Sequence, residues 1–147
     1  MLYGVSPIEG MTAQSIGLKP VMTLVSKIIA IQKLDAGDRV GYGGTFTASH
    51  SMQIGIVAGG YGDGYPRSAT HRTPVLVSGK RVSLIGRVSM DTVAIDLTEA
   101  PQSQVGSPVT LWGDGLPVED VVRSAGTIGY EWVTRLNAQV PVEIIGE

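Results

Sequence analysis

The sequence predicts a mainly β domain, a barrel or sandwich, carrying one or two short helices near its C-terminal end. Three observations predict it. Short runs rich in Val, Ile and Leu recur between residues 20 and 112, several with period-2 alternation. Stretches of Gly, Pro, Ser and Asp punctuate them, as in all-β sandwiches and barrels. Helical periodicity is confined to the chain after residue 116. With 147 residues, 43% hydrophobic and 16% charged, the chain reads as a single β-domain over 1–147, large enough to bury a core.

Residues 1–19 show little periodicity and contain Pro7, Gly10 and Gly17. Their opening, Leu2-Tyr3-Gly4-Val5, reads as the end of an element that begins upstream, so this stretch is expected to be a lead-in. Residues 20–34 form a long β-branched run. Val21, Val25, Ile29 and Ile31 share one parity, and Met22, Leu24 and Ile28 the other. Both faces are apolar, which predicts a strand covered on both sides. A helix is the competing reading, disfavoured by the β-branched content and the leading Pro20. Ala36-Gly37-Asp38 makes a turn, and Arg39-Val40 leads into a glycine-flanked tyrosine loop.

Residues 52–58 alternate, Met52, Ile54 and Ile56 pointing one way and Gln53 and Gly55 the other. Residues 73–77 and 81–85 flank Ser78-Gly79-Lys80, the pattern of a β-hairpin. Residues 92–97 alternate again, with Val93, Ile95 and Leu97 expected inside, and residues 108–112 make another short strand. A helix follows: Pro117 suits its first position, Glu119 and Asp120 its positive end, and Gly126 the residue past its C-terminus. Val118, Val121, Val122 and Ala125 form its apolar stripe. A second short helix is predicted within residues 128–136, and a terminal strand over residues 141–145.

Composition narrows the function. A formal charge of −2, with no basic run, offers nucleic acid no electrostatic footprint. No stretch is long and apolar enough to predict a membrane span, and the first residues lack the pattern of a signal peptide. The absence of cysteine removes disulfides and thiolate metal sites and is compatible with a reducing cytoplasm. His50 and His71 lack metal-ligand spacing and read as surface polar residues, so no metal is expected.

Three Gly-rich stretches, each at the end of or between β-like runs, are expected to converge at one end of the domain as a wall of an active site. They are Val40-Gly41-Tyr42-Gly43-Gly44-Thr45, Gly59-Gly60-Tyr61-Gly62-Asp63-Gly64-Tyr65-Pro66-Arg67 and Gly86-Arg87-Val88-Ser89-Met90-Asp91. A tyrosine hydroxyl can serve as general acid or base when a cation brings its ordinary pKa of about 10 nearer the operating pH. Tyr42 is either such a group or a turn tyrosine with a satisfied hydroxyl. The second loop lacks the Lys-Ser/Thr of a phosphate-binding P-loop; it reads as a tight turn presenting Tyr61, Asp63 and Arg67 to a polar cavity. In the third, a backbone N–H and Arg87 can hold a carboxylate, or Arg87 and Asp91 form a surface pair with Met90 in the core.

Taken together and in order, these loops, with Met1-Leu2-Tyr3-Gly4-Val5-Ser6-Pro7, Leu111-Trp112-Gly113 and Gly129-Tyr130-Glu131, resemble the C-terminal domain of alanine racemase. That family uses pyridoxal phosphate to interconvert L- and D-alanine. The resemblance spans essentially the whole chain. It implies that a barrel carrying the cofactor lysine precedes this domain, with residues 1–19 as the lead-in from it. It implies a two-base reaction in a homodimer, in which Tyr42 handles the L-alanine proton and acts in trans on the partner subunit's barrel. Met90 then matches the residue whose backbone holds the substrate carboxylate. Tyr61, Arg67, Arg87 and Asp91 match residues of the substrate entrance. Ala138 stands where some members have a phosphate-contacting tyrosine, and Gln139 where arginine is common. The chain alone is therefore expected to bind no cofactor and to be inactive, and the resemblance places the enzyme in the cytoplasm. A broader-specificity amino-acid racemase and a non-enzymatic β assembly module are the alternatives. A related decarboxylase would be expected to contribute a cysteine here.

Overall fold

The β-branched run becomes β1 (Leu24–Leu34), bent by a bulge between Ile28 and Ala30. The computed structural model describes residues 1–146. A ribbon of β2 (Arg39–Val40) and β3 (Phe46–Thr47) follows, then β4 (Met52–Ala58), β5 (Pro74–Val77), β6 (Lys80–Ile85), β7 (Thr92–Asp96) and β8 (Pro108–Trp112). The bulge lets β1 serve two neighbours: its start pairs with β8 and its remainder with β4, closing an antiparallel barrel in the order β1-β4-β7-β6-β5-β8. Closure decides between the predicted barrel and sandwich, and it removes exposed strand edges.

Register explains which apolar residues go inside. Val57 pairs with Val93, Gly55 with Ile95 and Leu84 with Ile95; Val57, Val93, Ile95 and Leu84 all lie in the main core. Val93, Ile95 and Leu97 are buried as expected. The alternate face of β4 is also covered: Met52 and Ile54 join Leu34, Ala48 and Ile85 in a second cluster, roofed by Val40 and Phe46 of the ribbon. Each of the buried Val, Leu, Ile and Met side chains contributes roughly 1.5–3 kcal/mol of transfer free energy.

Two expectations fail on β1. The strand starts at Leu24 rather than Pro20, and its second face is not covered, with Val25 64% and Ile29 45% exposed. A strand in a closed barrel has one inner face, and the ribbon is too short to cover its whole outer side.

Between β5 and β6, Ser78 and Gly79 both take positive φ (48° and 82°), the type I′ turn that matches strand twist. Helix α1 (Val118–Ala125) buries Val118, Val121 and Val122 and ends on left-handed Gly126; Pro117 sits at its N-cap, one position before the expected one. Helix α2 (Gly129–Thr134) buries Trp132 and Val133. The lead-in belongs to this body: Val5 is in the main core, and the Ser6 N–H donates to the Glu119 carboxylate at 2.9 Å. The predicted strand over residues 141–145 does not form. Val142, Ile144 and Ile145 are exposed, because the barrel leaves no free edge for them to join.

Candidate functional site

The ends of β4 and β6 and the start of β7 lie at one mouth of the barrel, since β7 runs antiparallel to both neighbours. The bend between β6 and β7, residues 86–91, is the centre of the three-loop cluster. Against one side lies the loop after β4: the N–H groups of Gly59, Tyr61 and Gly62 donate to the carbonyls of Asp91 (2.8 Å), Ser89 (3.0 Å) and Met90 (2.8 Å). Gly60 is required here, because a Cβ would lie 2.2 Å from the Ser89 carbonyl oxygen and 2.4 Å from that of Met90. Against the other side lies the Tyr42 loop. Gly41 has φ +82°, and a Cβ there would stand 2.9 Å from the Arg87 nitrogen.

This packing displays the side chains singled out from the sequence. Tyr42 occupies a single 3-10 turn (Tyr42–Gly44) and is 69% exposed, Met90 54% and Tyr61 41%. Arg67, Arg87 and Asp91 are exposed as well. Arg67 and Arg87 line one cleft with Thr45, Thr70 and His71, and no carboxylate lines it. Ion pairs among the described residues use Arg81, Arg123 and Arg135 instead, so this cleft is positive. Asp91 lies apart from the arginines, in a hollow shared with Asp63, Tyr65 and Gln139; the surface Arg87–Asp91 pair does not form. Among the described residues no acceptor meets the Met90 N–H, while its carbonyl is taken by Gly62.

Asp63 lines that hollow, but its carboxylate is already engaged. Its carboxylate turns back to accept from the Gly60 N–H at 3.0 Å and caps the short turn Tyr61–Asp63. Tyr65 is buried, and burial pushes its hydroxyl pKa up, which keeps it a neutral phenol. Of the tyrosines in these loops, Tyr42 and Tyr61 are the accessible ones.

Sequence reasoning missed three supporting residues. The Arg39 guanidinium donates to the Gly43 and Gly44 carbonyls. Asn137 and Gln139 donate side-chain amide hydrogens to the Gly62 carbonyl at 3.0 and 3.2 Å, and Gln139 also to Asp63 at 3.3 Å. Asn137 and Gln139 are distant in sequence from the loop they tether, so no local pattern reveals them. Arg39 is near Tyr42 in sequence, but nothing in that spacing says its side chain folds back. His71, read as a surface residue, tilts against Phe46 at 5.3 Å between ring centroids and joins the arginine cleft.

A pyridoxal cofactor needs an amine and a phosphate cradle. The chain's lysines are Lys19, Lys27, Lys33 and Lys80. They lie on the lead-in, on β1 and at the β5–β6 hairpin, none in the loop wall. The amides of Asn137 and Gln139 are committed to the loop. The loop wall itself therefore offers no lysine to a pyridoxal cofactor.

Comparison with known proteins bears on the whole chain. The family profile described as alanine racemase, C-terminal domain, matches residues 21–144. The alanine racemase of Nitrosomonas eutropha is 58% identical over 96% of this chain, and that of Thiobacillus denitrificans 54% over 99%. The chain spans about two fifths of these curated relatives, 39% and 40% of their lengths. The crystal structure of biosynthetic alanine racemase from Pseudomonas aeruginosa superposes with a TM-score of 0.93 at 48% identity, over 95% of this chain and 39% of that one. Alanine racemase from D-cycloserine producing Streptomyces lavendulae gives 0.92 at 36% identity, over 99% and 39%.

Proposed function

The chain belongs to the alanine racemase family through its C-terminal domain, and we propose that it supplies one wall of that enzyme's active site, with Tyr42 as the acid–base group for the L-alanine face. One observation carries this reading: a tyrosine 69% exposed, on a loop seated against the bend that holds Arg87 and Met90. A phenol at that rim can reach a substrate brought up from outside the domain, as proton transfer requires.

The neighbouring groups have chemistry suited to an amino acid. The unpaired Met90 N–H is a donor for the substrate carboxylate. The positive cleft of Arg67 and Arg87 draws a carboxylate toward the mouth; Tyr61, which shares a second hollow with Arg67, and the exposed Asp91 complete the entrance. When bound in the full-length enzyme, pyridoxal phosphate withdraws electrons from the substrate α-carbon and so eases loss of its proton. The family resemblance assigns the second base and the cofactor's attachment to a barrel domain and sets Tyr42 against the barrel of a partner subunit in a homodimer; the absence of lysine from the wall is in keeping with that assignment. The chain alone is then inactive and holds no cofactor.

Substituting Tyr42→Phe in the full-length enzyme tests this. Racemisation of L-alanine is expected to fall by about 10²–10⁴-fold, the usual worth of a positioned acid–base group. Near-parental turnover would remove Tyr42 from the chemistry.

A further inference from the structure

We infer that Arg39 is a positioning residue for Tyr42: its guanidinium holds the glycine loop in the conformation that presents the tyrosine. The inference rests on the acid–base role proposed for Tyr42.

Three of the four residues in 41–44 are glycines, with φ of 82°, 72° and 56° at Gly41, Gly43 and Gly44. Such a segment has more conformational freedom to lose than most of its length. Tyr42 does not anchor it, being largely exposed and making no side-chain hydrogen bond among the described residues. Within the loop, the Gly44 N–H donates to the Gly41 carbonyl at 2.9 Å. The remaining hold on its carbonyls is Arg39, whose Nε donates to the Gly44 carbonyl at 3.2 Å and whose Nη2 donates to those of Gly44 and Gly43 at 3.0 and 3.2 Å. Hydrogen bonds from an ionised donor are stronger than neutral ones, and the planar fork of arginine sets direction as well as distance.

Arg39 is placed to do this. It pairs with Thr47 in the β2–β3 ribbon, which roofs the second apolar cluster, so its backbone is held on both counts. No carboxylate draws the guanidinium away: the adjacent Asp38 accepts from the Asp35 N–H at 2.8 Å, and the ion pairs among the described residues lie elsewhere. The fit is close. A Cβ on Gly44 would stand 2.5 Å from Arg39 Nε and 2.8 Å from its Cζ.

Without Arg39 the loop samples other conformations, and Tyr42 reaches the substrate in only part of them. Met90, Arg67 and Arg87 are untouched, so substrate binding is retained while kcat falls. In a two-base racemisation only the Tyr42 step slows. That makes the α-deuterium isotope effect on kcat/KM grow for L-alanine and shrink toward unity for D-alanine. A general loss of structure has no reason to move the two in opposite directions.

The test is Arg39→Gln in the full-length enzyme. We expect kcat down by about 10–100-fold, the scale of a small misplacement, KM within about 3-fold, and the opposed isotope effects. In the present chain the same change should speed hydrogen exchange of the Gly44 amide. Gly44→Ala, which crowds the same contact and also strains the left-handed backbone there (φ +56°), serves if Arg39→Gln folds poorly; because the crowding is lost once the arginine is gone, combined with Arg39→Ala it should cost less than the product of the two single losses. Parental kcat and isotope effects in Arg39→Gln, or multiplicative losses in the double variant, overturn the inference while Tyr42→Phe still shows its large loss of activity. An active Tyr42→Phe instead overturns the role of Tyr42.

Discussion

Tyr65 and Trp132 meet edge to face, their ring centroids 5.2 Å apart and their planes inclined by 72°. The contact joins the loop that carries Tyr61 to helix α2, and both side chains are almost wholly buried, at 1% and 0% exposure. Aromatic pairs in this geometry are worth about 0.5–1.5 kcal/mol beyond the area they bury. Neither the Tyr65 hydroxyl nor the Trp132 Nε1 has a hydrogen-bond partner among the described residues.

Tyr65→Phe keeps the ring contact and removes the unpaired hydroxyl. Chemical denaturation at pH 7 should show a gain of about 1 kcal/mol, since a buried polar group without a partner is a net cost.

The same hydroxyl sets an alkaline limit. Burial raises its pKa above the ordinary tyrosine value of about 10. Below that value both folded and unfolded chains carry the phenol, and the stability associated with it is intact. Above it the unfolded chain sheds the proton first, so stability falls as pH rises. Unfolding midpoints measured between pH 9 and pH 11, a range chosen about the ordinary value, should drop, and Tyr65→Phe should lessen the drop.

Trp132→Ala removes the other ring and leaves a cavity beneath the loop. We expect a loss of about 3–5 kcal/mol by equilibrium unfolding, the usual cost of truncating a buried aromatic.

Gly60→Ala places a methyl into the carbonyls of Ser89 and Met90. The loop must lift from the bend, breaking its backbone bonds there, at about 1–3 kcal/mol. Faster hydrogen exchange at the Tyr61 and Gly62 amides would locate the damage.

Tyr42→Phe should leave unfolding unchanged to within about 0.5 kcal/mol, as expected for an exposed side chain without hydrogen-bond partners. Activity lost at full stability would separate a chemical role from a structural one.

The strands were legible wherever a local period matched a single buried face, as at Val93, Ile95 and Leu97. Residues 20–34 misled because an apolar run looks alike whether one face or both are covered, and the exposed Val25 and Ile29 carry no local mark of which. Residues 141–145 have strand composition, but strand formation needs a neighbouring edge, and closure of the barrel takes the edges away. The glycines of the three loops were visible as places of close approach. What approaches them was not: Ser89 and Met90 against Gly60, Arg87 against Gly41, Gln139 and Asn137 against Gly62.

By itself the sequence determined a cysteine-free β-domain with tyrosine- and arginine-bearing glycine loops in an order that marks its family, because composition, periodicity and motif order are properties of the chain read locally. Tertiary structure alone decided that β1 closes the barrel, that Asp63 caps a turn, that Tyr65 is sealed in the core while Tyr42 stands outside, and that Arg39 reaches back to the loop. Those outcomes depend on which distant residues share a surface once the strands pair, and strand register is settled by burial across the whole sheet.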